Sequence, residues 1–254
     1  MKKRLYCLVF CLAVVSSALL PAQAASINVA VASNFINPAK QLATQFSDVS
    51  GHSVNLSSGS TGKLYTQIIN GAPFDIFLAA NAREPRRLEQ QGQAVTATRV
   101  TYAIGRLVLW SADPQRVKAD CATALKQTDF RKLAIANPRV APYGKQAEHA
   151  LITLGVYETV QPKLIMGENI GEAFRFVSSG NAELGIISLS QVKDPRNPFS
   201  GSHCVLAETL HQPLLQQTVM LQRARGNQAA REFIQFLQSA PARALIENYG
   251  YDLP

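Results

Sequence analysis

The feature of this sequence that most constrains its fold is a regular alternation of strand-like and helix-like segments. Apolar, β-rich runs occur at 26–32, 54–58, 74–80, 132–137, 163–167 and 183–190. The stretches between them have helical spacing, and in 38–46 the positions i, i+3, i+4 and i+7 are Ala39, Leu42, Ala43 and Phe46. This order predicts an α/β fold in which mainly parallel sheets are flanked by helices on both faces.

Two longer strand-like runs interrupt the alternation, at 101–111 and 214–224, and no helix of the usual kind follows either of them. If both runs cross between two lobes, lobe 1 holds residues 25–105 plus 218–254 and lobe 2 holds 106–217. The alternative is a single sheet in which the two runs are edge strands. We expect the two-lobed arrangement, with the two runs forming hinge-crossing strands.

The N-terminus has the three parts of a secretory signal. Lys2, Lys3 and Arg4 precede an apolar run that continues to about Leu20, and Ala22-Gln23-Ala24 forms a small-residue cleavage site. Because this apolar run is short and contains serines and a proline, a membrane anchor fits less well. The sequence therefore predicts a cleaved signal peptide over 1–24 and an exported protein.

Once the predicted signal is removed, the net charge excludes few classes of ligand or partner. The signal contains three of the 25 basic residues and no acidic ones, which leaves 22 against 17 and a net charge of +5. That balance favours anionic ligands weakly. Lys and Arg do not form runs interleaved with aromatic residues, so we do not expect a nucleic-acid partner.

Two cysteines, Cys121 and Cys204, lie outside the predicted signal. In an oxidising compartment such a pair is more often bridged than free, so a disulfide between them is expected. The four histidines are scattered along the chain, and no metal-ligand spacing is present. We expect neither a bound metal cation nor a cofactor.

Four polar loops follow predicted strands and precede predicted helices. They read "ASNF" (32–35), "SGSTGK" (58–63), "NPRVAPYGK" (137–145) and "GENIGEA" (167–173). In parallel α/β sheets, ligands gather at this end of the strands, where helix N-termini offer free N–H groups. Helix N-termini combined with serine and threonine hydroxyls form an anion site that needs no lysine or arginine.

Two catalytic interpretations of residues 57–64, "SSGSTGKL", are excluded. A phosphate-binding P-loop requires glycine at position 57 and Ser or Thr at position 64, whereas the sequence has Ser57 and Leu64. A nucleophile elbow requires G-x-S-x-G, and Gly59 to Gly62 is one residue short. A secreted hydrolase therefore remains only a minor alternative, and Lys63 is expected to be a solvated lysine in a first helical turn.

Several motifs together resemble one family. The segments "SSGSTGKLYTQIINGAPFDIFLAAN", "NPRVAPYGKQAEHALITLG", "ENIGEAF" and "ALIENYGYDLP" are similar to the periplasmic molybdate-binding proteins of ABC importers, in order and over the chain after the signal. The resemblance implies a two-lobed periplasmic binding protein that captures molybdate or tungstate and delivers it to an inner-membrane ABC permease. The resemblance also implies that the protein is a monomer and that it is not an enzyme. A binding protein for sulfate or another oxyanion is the alternative within this class.

The resemblance also implies which residues hold the anion. Carried over position by position, the contacts come from both lobes and are Ser33, Asn34, Ser60, Thr61, Tyr143 and Ile170. Many members have a tyrosine in the segment that here reads "LGIISLS", where this chain has Ser188. Because Tyr143 matches the members that supply a tyrosine from the "APYG" loop instead, we expect Tyr143 to make that contact, and the role of Ser188 stays open.

Overall fold

A computed structural model of the protein describes residues 24–118 and 120–254. It contains two five-stranded sheets with helices packed around each. The predicted two-lobed α/β fold is confirmed. The predicted signal peptide, 1–24, lies outside the described residues except for Ala24.

The strands are short, as is usual for α/β proteins. They are β1 (Ser26–Ala32), β2 (Ser53–Gly59), β3 (Ile76–Ala79), β4 (Val100–Gly105), β5 (Leu107–Ser111), β6 (Leu133–Ala136), β7 (Leu164–Gly167), β8 (Leu184–Ser188), β9 (Ser202–Val205) and β10 (Leu214–Met220).

The helices alternate with these strands along most of the chain. They are α1 (Ile36–Ser50), α2 (Thr61–Ile69), α3 (Arg83–Gln90), α4 (Cys121–Gln127), α5 (Pro142–Thr153), α6 (Tyr157–Val160), α7 (Ile170–Ser178), α8 (Leu189–Val192), α9 (Gln228–Phe236) and α10 (Ala240–Asn248). A single 3-10 turn, Ser33–Phe35, joins β1 to α1.

The two sheets have the same topology. The strand order is β2-β1-β3-β10-β4 in the first and β7-β6-β8-β5-β9 in the second. In each sheet the first three strands are parallel, and the fourth is antiparallel to both of its neighbours. The carboxyl ends of β1 and β2 therefore meet at one edge of the first sheet, and those of β6 and β7 meet at one edge of the second.

The chain passes between the sheets twice. The first crossing is at Arg106, which separates β4 from β5, so the predicted single run 101–111 is two strands in different sheets. The return crossing precedes Leu214, because β10 pairs over its whole length with strands of the first sheet. The predicted boundary between residues 217 and 218 thus falls inside β10 rather than in the connection before it.

Hydrophobic burial explains why the predicted helical stripes pack where they do. The stripe of α1 (Ala39, Leu42, Ala43 and Phe46) is buried against one face of the first sheet, together with α9 and α10. The other face of that sheet is covered by α2 and α3, whose Leu64 and Leu88 are buried. A separate apolar core surrounds the second sheet.

Cys121 and Cys204 form a disulfide that joins the start of α4 to β9. Their Cα atoms are 5.6 Å apart, and 83 positions separate them in sequence. Closing so long a loop restricts the unfolded chain, which on the chain-entropy model stabilises the second lobe by about 4.5 kcal/mol.

In the described part of the chain, no helix combines the length and the apolar character needed to cross a membrane. The same residues contain no group of three or more His, Cys, Asp or Glu side chains that could hold a metal ion.

Candidate functional site

The six residues expected to hold an anion line one small cavity between the two sheets. They are Ser33, Asn34, Ser60, Thr61, Tyr143 and Ile170. The cavity has an empty volume of about 180 Å³, and the rest of its lining consists of alanines, a glycine and a proline. Among the described residues, no Lys, Arg, His, Asp or Glu lines it, so any anion held there must be held by uncharged donors.

The turn between β2 and α2 supplies the hydroxyls of Ser60 and Thr61. Ser60 is the N-cap residue of α2 but makes no capping hydrogen bond with its side chain. Its Oγ is buried and has no hydrogen-bond partner within the described ranges. A buried hydroxyl without a partner costs about 1–3 kcal/mol, so this atom is suited to bind a ligand.

Thr61, the first residue of α2, is also buried. Its Oγ1 accepts a hydrogen bond of 3.1 Å from the backbone N–H group of Ala80, at the end of β3. That bond fixes the hydroxyl and occupies one of its lone pairs, which leaves the hydroxyl hydrogen for a ligand.

The turn after β1 contributes Ser33 and Asn34. Both hydrogens of the Asn34 side-chain amide are used, because Nδ2 donates to Gln216 Oε1 at 2.9 Å and to Tyr251 Oη at 3.0 Å. The side chain of Asn34 therefore fixes this turn, and what it can offer a ligand is its backbone N–H group. The first N–H groups of a helical turn have no acceptor within it.

Tyr143 enters the cavity from the second lobe. Pro142 occupies the first position of α5, so Tyr143 lies in the first turn, and it is 1% exposed. Gly105 makes room for it, since a Cβ atom at Gly105 would lie 2.1 Å from Tyr143 Oη. Burial, with a further contribution from the nearby Tyr251, raises the pKa of Tyr143 well above 10. The phenol therefore stays protonated at neutral pH and can donate a hydrogen bond.

Ile170 is the first residue of α7 and is buried. Its N–H group lies at the positive end of that helix and has no intrahelical acceptor. The N-cap residue Asn169 accepts a hydrogen bond of 3.1 Å from the N–H group of Glu172, which holds this helix start in place.

Behind the cavity, six buried polar side chains from both lobes form a set that we call the junction network. They are Asn34, Tyr143, Ser188, Ser190, Gln216 and Tyr251. Ser188 does not line the cavity, and its Oγ donates to Tyr143 Oη at 3.2 Å. In this arrangement Ser188 supports Tyr143 from behind.

The sequence did not identify Ser190, Gln216 or Tyr251 as partners of Asn34, because they lie 156, 182 and 217 positions from it. The pair of glutamines in "LLQQTVM" (214–220) was the available signal, since glutamine is unusual in a buried strand. Lys63 lies exposed in the first turn of α2, as expected. Its ammonium group is half-exposed but forms an ion pair with Glu168 of the second lobe.

The two lobes also touch through the backbone beside the cavity. The Gly62 N–H group donates to the carbonyl oxygen of Val140 at 2.8 Å. A Cβ atom at Gly62 would lie 2.9 Å from that oxygen, so glycine permits the approach. A two-lobed protein whose lobes meet around a small, donor-lined cavity has the architecture of a protein that binds a ligand by domain closure.

Comparisons with known proteins support the assignment to two-lobed ligand-binding proteins. Residues 27–252 match the family described as bacterial extracellular solute-binding protein. The chain therefore belongs to that family. The molybdate-binding protein ModA of Azotobacter vinelandii is 45% identical over 91% of this chain and 92% of its own length. ModA of Rhodobacter capsulatus is 42% identical over 94% of this chain and 93% of its own length.

Comparison with solved structures indicates the same family. The solved structure of the Azotobacter vinelandii periplasmic molybdate-binding protein superposes with a TM-score of 0.86 and 36% identity, and covers 90% of this chain and 99% of its own. The resemblance to molybdate-binding proteins that the sequence motifs indicated is confirmed by these relatives.

Proposed function

We propose that this protein captures molybdate or tungstate between its two lobes in the periplasm and delivers the anion to an ABC permease. It acts as a monomeric binding protein and not as an enzyme. The observation that carries the proposal is the Ser60 hydroxyl, which is buried without a partner beside a cavity that has no charged lining residue. The relatives named as molybdate-binding proteins supply the identity of the anion.

Uncharged donors are sufficient to hold such an anion. A dianion taken out of water must be richly hydrogen-bonded, and each hydrogen bond to a charged group contributes about 1.5–3 kcal/mol. Ser60, Thr61 and Tyr143 offer hydroxyl hydrogens, and the turns at Asn34 and Ile170 offer backbone N–H groups. The proposed cage thus takes donors from both lobes.

Closure of the lobes completes the proposed cage. The donors of α2 belong to the first lobe and those of α5 and α7 to the second, so an open cleft presents only half of them. The hydrogen bond from Gly62 to Val140 joins the lobes beside the cavity. A ligand that contacts both halves shifts the population toward the closed state.

An open cleft with an empty volume of about 1870 Å³ shares Ala141 and Pro142 with the small cavity and would admit the anion. Arg139 and Lys145 line this larger cavity together with Glu148, and neither basic side chain forms an ion pair in the described part of the chain. Their positive charge would attract anions towards the cleft without entering the proposed cage.

Thermal unfolding in the presence of four anions tests the proposal. Purified protein is heated with molybdate, tungstate, sulfate or phosphate, each at the same concentration and ionic strength. A ligand present at about 100 times its dissociation constant adds roughly 2.7 kcal/mol to folding stability. We expect a clear rise in Tm with molybdate and tungstate. No rise with either anion would refute the proposal, and a larger rise with sulfate would reassign the protein to a sulfate-binding function.

A further inference from the structure

The hydroxyl oxygen of Tyr143 already accepts two hydrogen bonds. One comes from Ser188 Oγ at 3.2 Å and the other from Gln216 Nε2 at 3.1 Å. A phenolic oxygen has two lone pairs to share and one hydrogen to give. With both lone pairs occupied, Tyr143 can offer a ligand in the cavity only its hydrogen.

The orientation of the Gln216 amide is fixed from its other end. Gln216 is fully buried on β10, and its Oε1 accepts from Asn34 Nδ2 at 2.9 Å. Asn34 is held in turn by Tyr251, whose Oη accepts from Asn34 Nδ2 and donates to the Asn34 carbonyl oxygen at 2.9 Å. Because Oε1 is occupied, Gln216 presents its NH₂ group to Tyr143.

We propose that Gln216 is a positioning residue that makes Tyr143 an obligate hydrogen-bond donor and thereby excludes oxyanions that carry a proton. The inference rests on the proposed function, because it concerns the selectivity of the same site. Gln216 belongs to the first sheet and Tyr143 to the second lobe, so the contact also joins the lobes.

The physical reason lies in what a protonated anion needs. Hydrogen arsenate must donate its own hydrogen to an acceptor, whereas selenate, a fully ionised tetrahedral dianion of similar size and equal charge, only accepts. A cage that offers donors alone leaves the hydrogen of arsenate buried without a partner, which costs binding free energy. If Gln216 did not occupy a lone pair of Tyr143, that oxygen could accept the hydrogen.

The test replaces Gln216 by methionine, which has a similar volume but no donor. Dissociation constants for selenate and arsenate are measured at mildly alkaline pH by competition against molybdate, for wild type and Gln216→Met. The matched control is Gln217→Met, since Gln217 is the next residue on β10, is buried, and bonds to Thr101 and Arg99 instead of Tyr143.

We expect the ratio of the arsenate to the selenate dissociation constant to fall about tenfold in Gln216→Met, the factor expected for regaining one hydrogen bond. In Gln217→Met the ratio should equal that of wild type. Equal weakening of both anions by Gln216→Met would mean a merely structural role and would overturn the inference. Tighter selenate binding would overturn it as well, since Tyr143 would then be donating to Gln216.

If Gln216→Met does not fold, Ser188→Ala gives a second measurement, because it removes the other hydrogen bond that Tyr143 accepts. The ratio should again fall, and an unchanged ratio would count against the inference. Failure of the proposed function is distinguishable, because wild-type protein would then not bind molybdate in a direct titration, whatever the ratio of the other two anions. A wild-type protein that binds arsenate as well as selenate would overturn the inference alone.

Discussion

The two lobes share a topology, and their equivalent helices α2 and α7 start in opposite ways. Each follows the second strand of its sheet's parallel set, and each has a polar N-cap residue, a glycine at the second helical position and a charged residue at the third. In α7 the cap Asn169 accepts from the Glu172 N–H group at 3.1 Å, so the helix satisfies its own end. In α2 the side chain of the cap Ser60 makes no hydrogen bond in the part of the chain that the structure describes.

The charged residues at the third position reinforce the contrast. An acidic residue near a helix N-terminus is favourable and a basic one unfavourable, because of the helix dipole. Glu172 in α7 follows this rule and Lys63 in α2 does not. Lys63 is instead paired with Glu168 of the other lobe. The start of α2 is therefore incomplete within its own lobe, and the second lobe and a ligand complete it.

The largest expected difference between α2 and α7 is in how a substitution at the second residue of each helix changes molybdate binding. Gly62→Ala places a Cβ atom 2.9 Å from the Val140 carbonyl oxygen, whereas in Gly171→Ala the nearest atom is Asn169 Oδ1 at 3.1 Å, within the same lobe. Overpacking of this kind costs about 1–3 kcal/mol. We expect Gly62→Ala to weaken molybdate binding by about tenfold to a hundredfold in calorimetric titration, because the cleft cannot close.

Gly171→Ala is the control for that experiment and should bind within a few-fold of wild type. Equal losses in the two variants would show that the starts of α2 and α7 are equivalent after all, and the contrast drawn between them would be wrong.

The junction network makes the contact between the lobes sensitive to alkaline pH. Burial raises the pKa of Tyr251 to about 12 and that of Tyr143 well above 10. Above about pH 10 the unfolded chain loses these protons first, so the free energy of unfolding falls as pH rises, by about 1.4 kcal/mol per pH unit for each tyrosine. Below that pH their contribution is fully present.

Urea unfolding across the alkaline range measures this slope. Tyr251→Phe should lower the slope by about 1.4 kcal/mol per pH unit relative to wild type, between about pH 10 and pH 12. A variant whose stability falls as steeply as that of wild type would show that Tyr251 does not retain its proton in the folded protein.

Local patterns predicted the elements better than the contacts between them. The strand 26–32 and the helical stripe in 38–46 follow from spacing, and the structure has β1 and α1 there. The residues that line the cavity follow strand ends, which a βα pattern locates along the chain. Gln216 and Tyr251 lie 182 and 217 positions from Asn34, which they contact, so no local pattern could associate them with the site.

A similar reason explains why residues 101–111 read as one strand-like run, although the predicted boundary after residue 105 coincides with the crossing. Both halves are apolar and β-rich, so the sequence reads as one strand, yet Arg106 lies between β4 and β5, which belong to different sheets. Arg106 is held there by ion pairs with Glu208 and Asp252. Those partners lie more than 100 positions away in sequence and cannot be inferred from the run itself.

The smallest expected effect concerns the ion pair between Lys63 and Glu168. Both side chains are about half-exposed, and such pairs contribute roughly 0–1 kcal/mol. Lys63→Gln should weaken molybdate binding no more than about fivefold at low salt, and high salt should remove the difference. The double variant Lys63→Glu with Glu168→Lys should restore binding, while Lys40→Gln, an exposed lysine on α1, should have no effect. A loss that persists at high salt would mean that Lys63 contacts the anion directly.

The most direct test of the account compares the two caps by calorimetric titration with molybdate. Because the Ser60 side chain caps nothing, Ser60→Ala should weaken binding at least tenfold, as expected for one hydrogen bond to an anion, and should not lower the stability of the ligand-free protein. Asn169→Ala should keep the affinity within a few-fold of wild type and lower the free energy of unfolding by about 1 kcal/mol. Wild-type affinity in Ser60→Ala would contradict the claim that its unpartnered hydroxyl holds the anion.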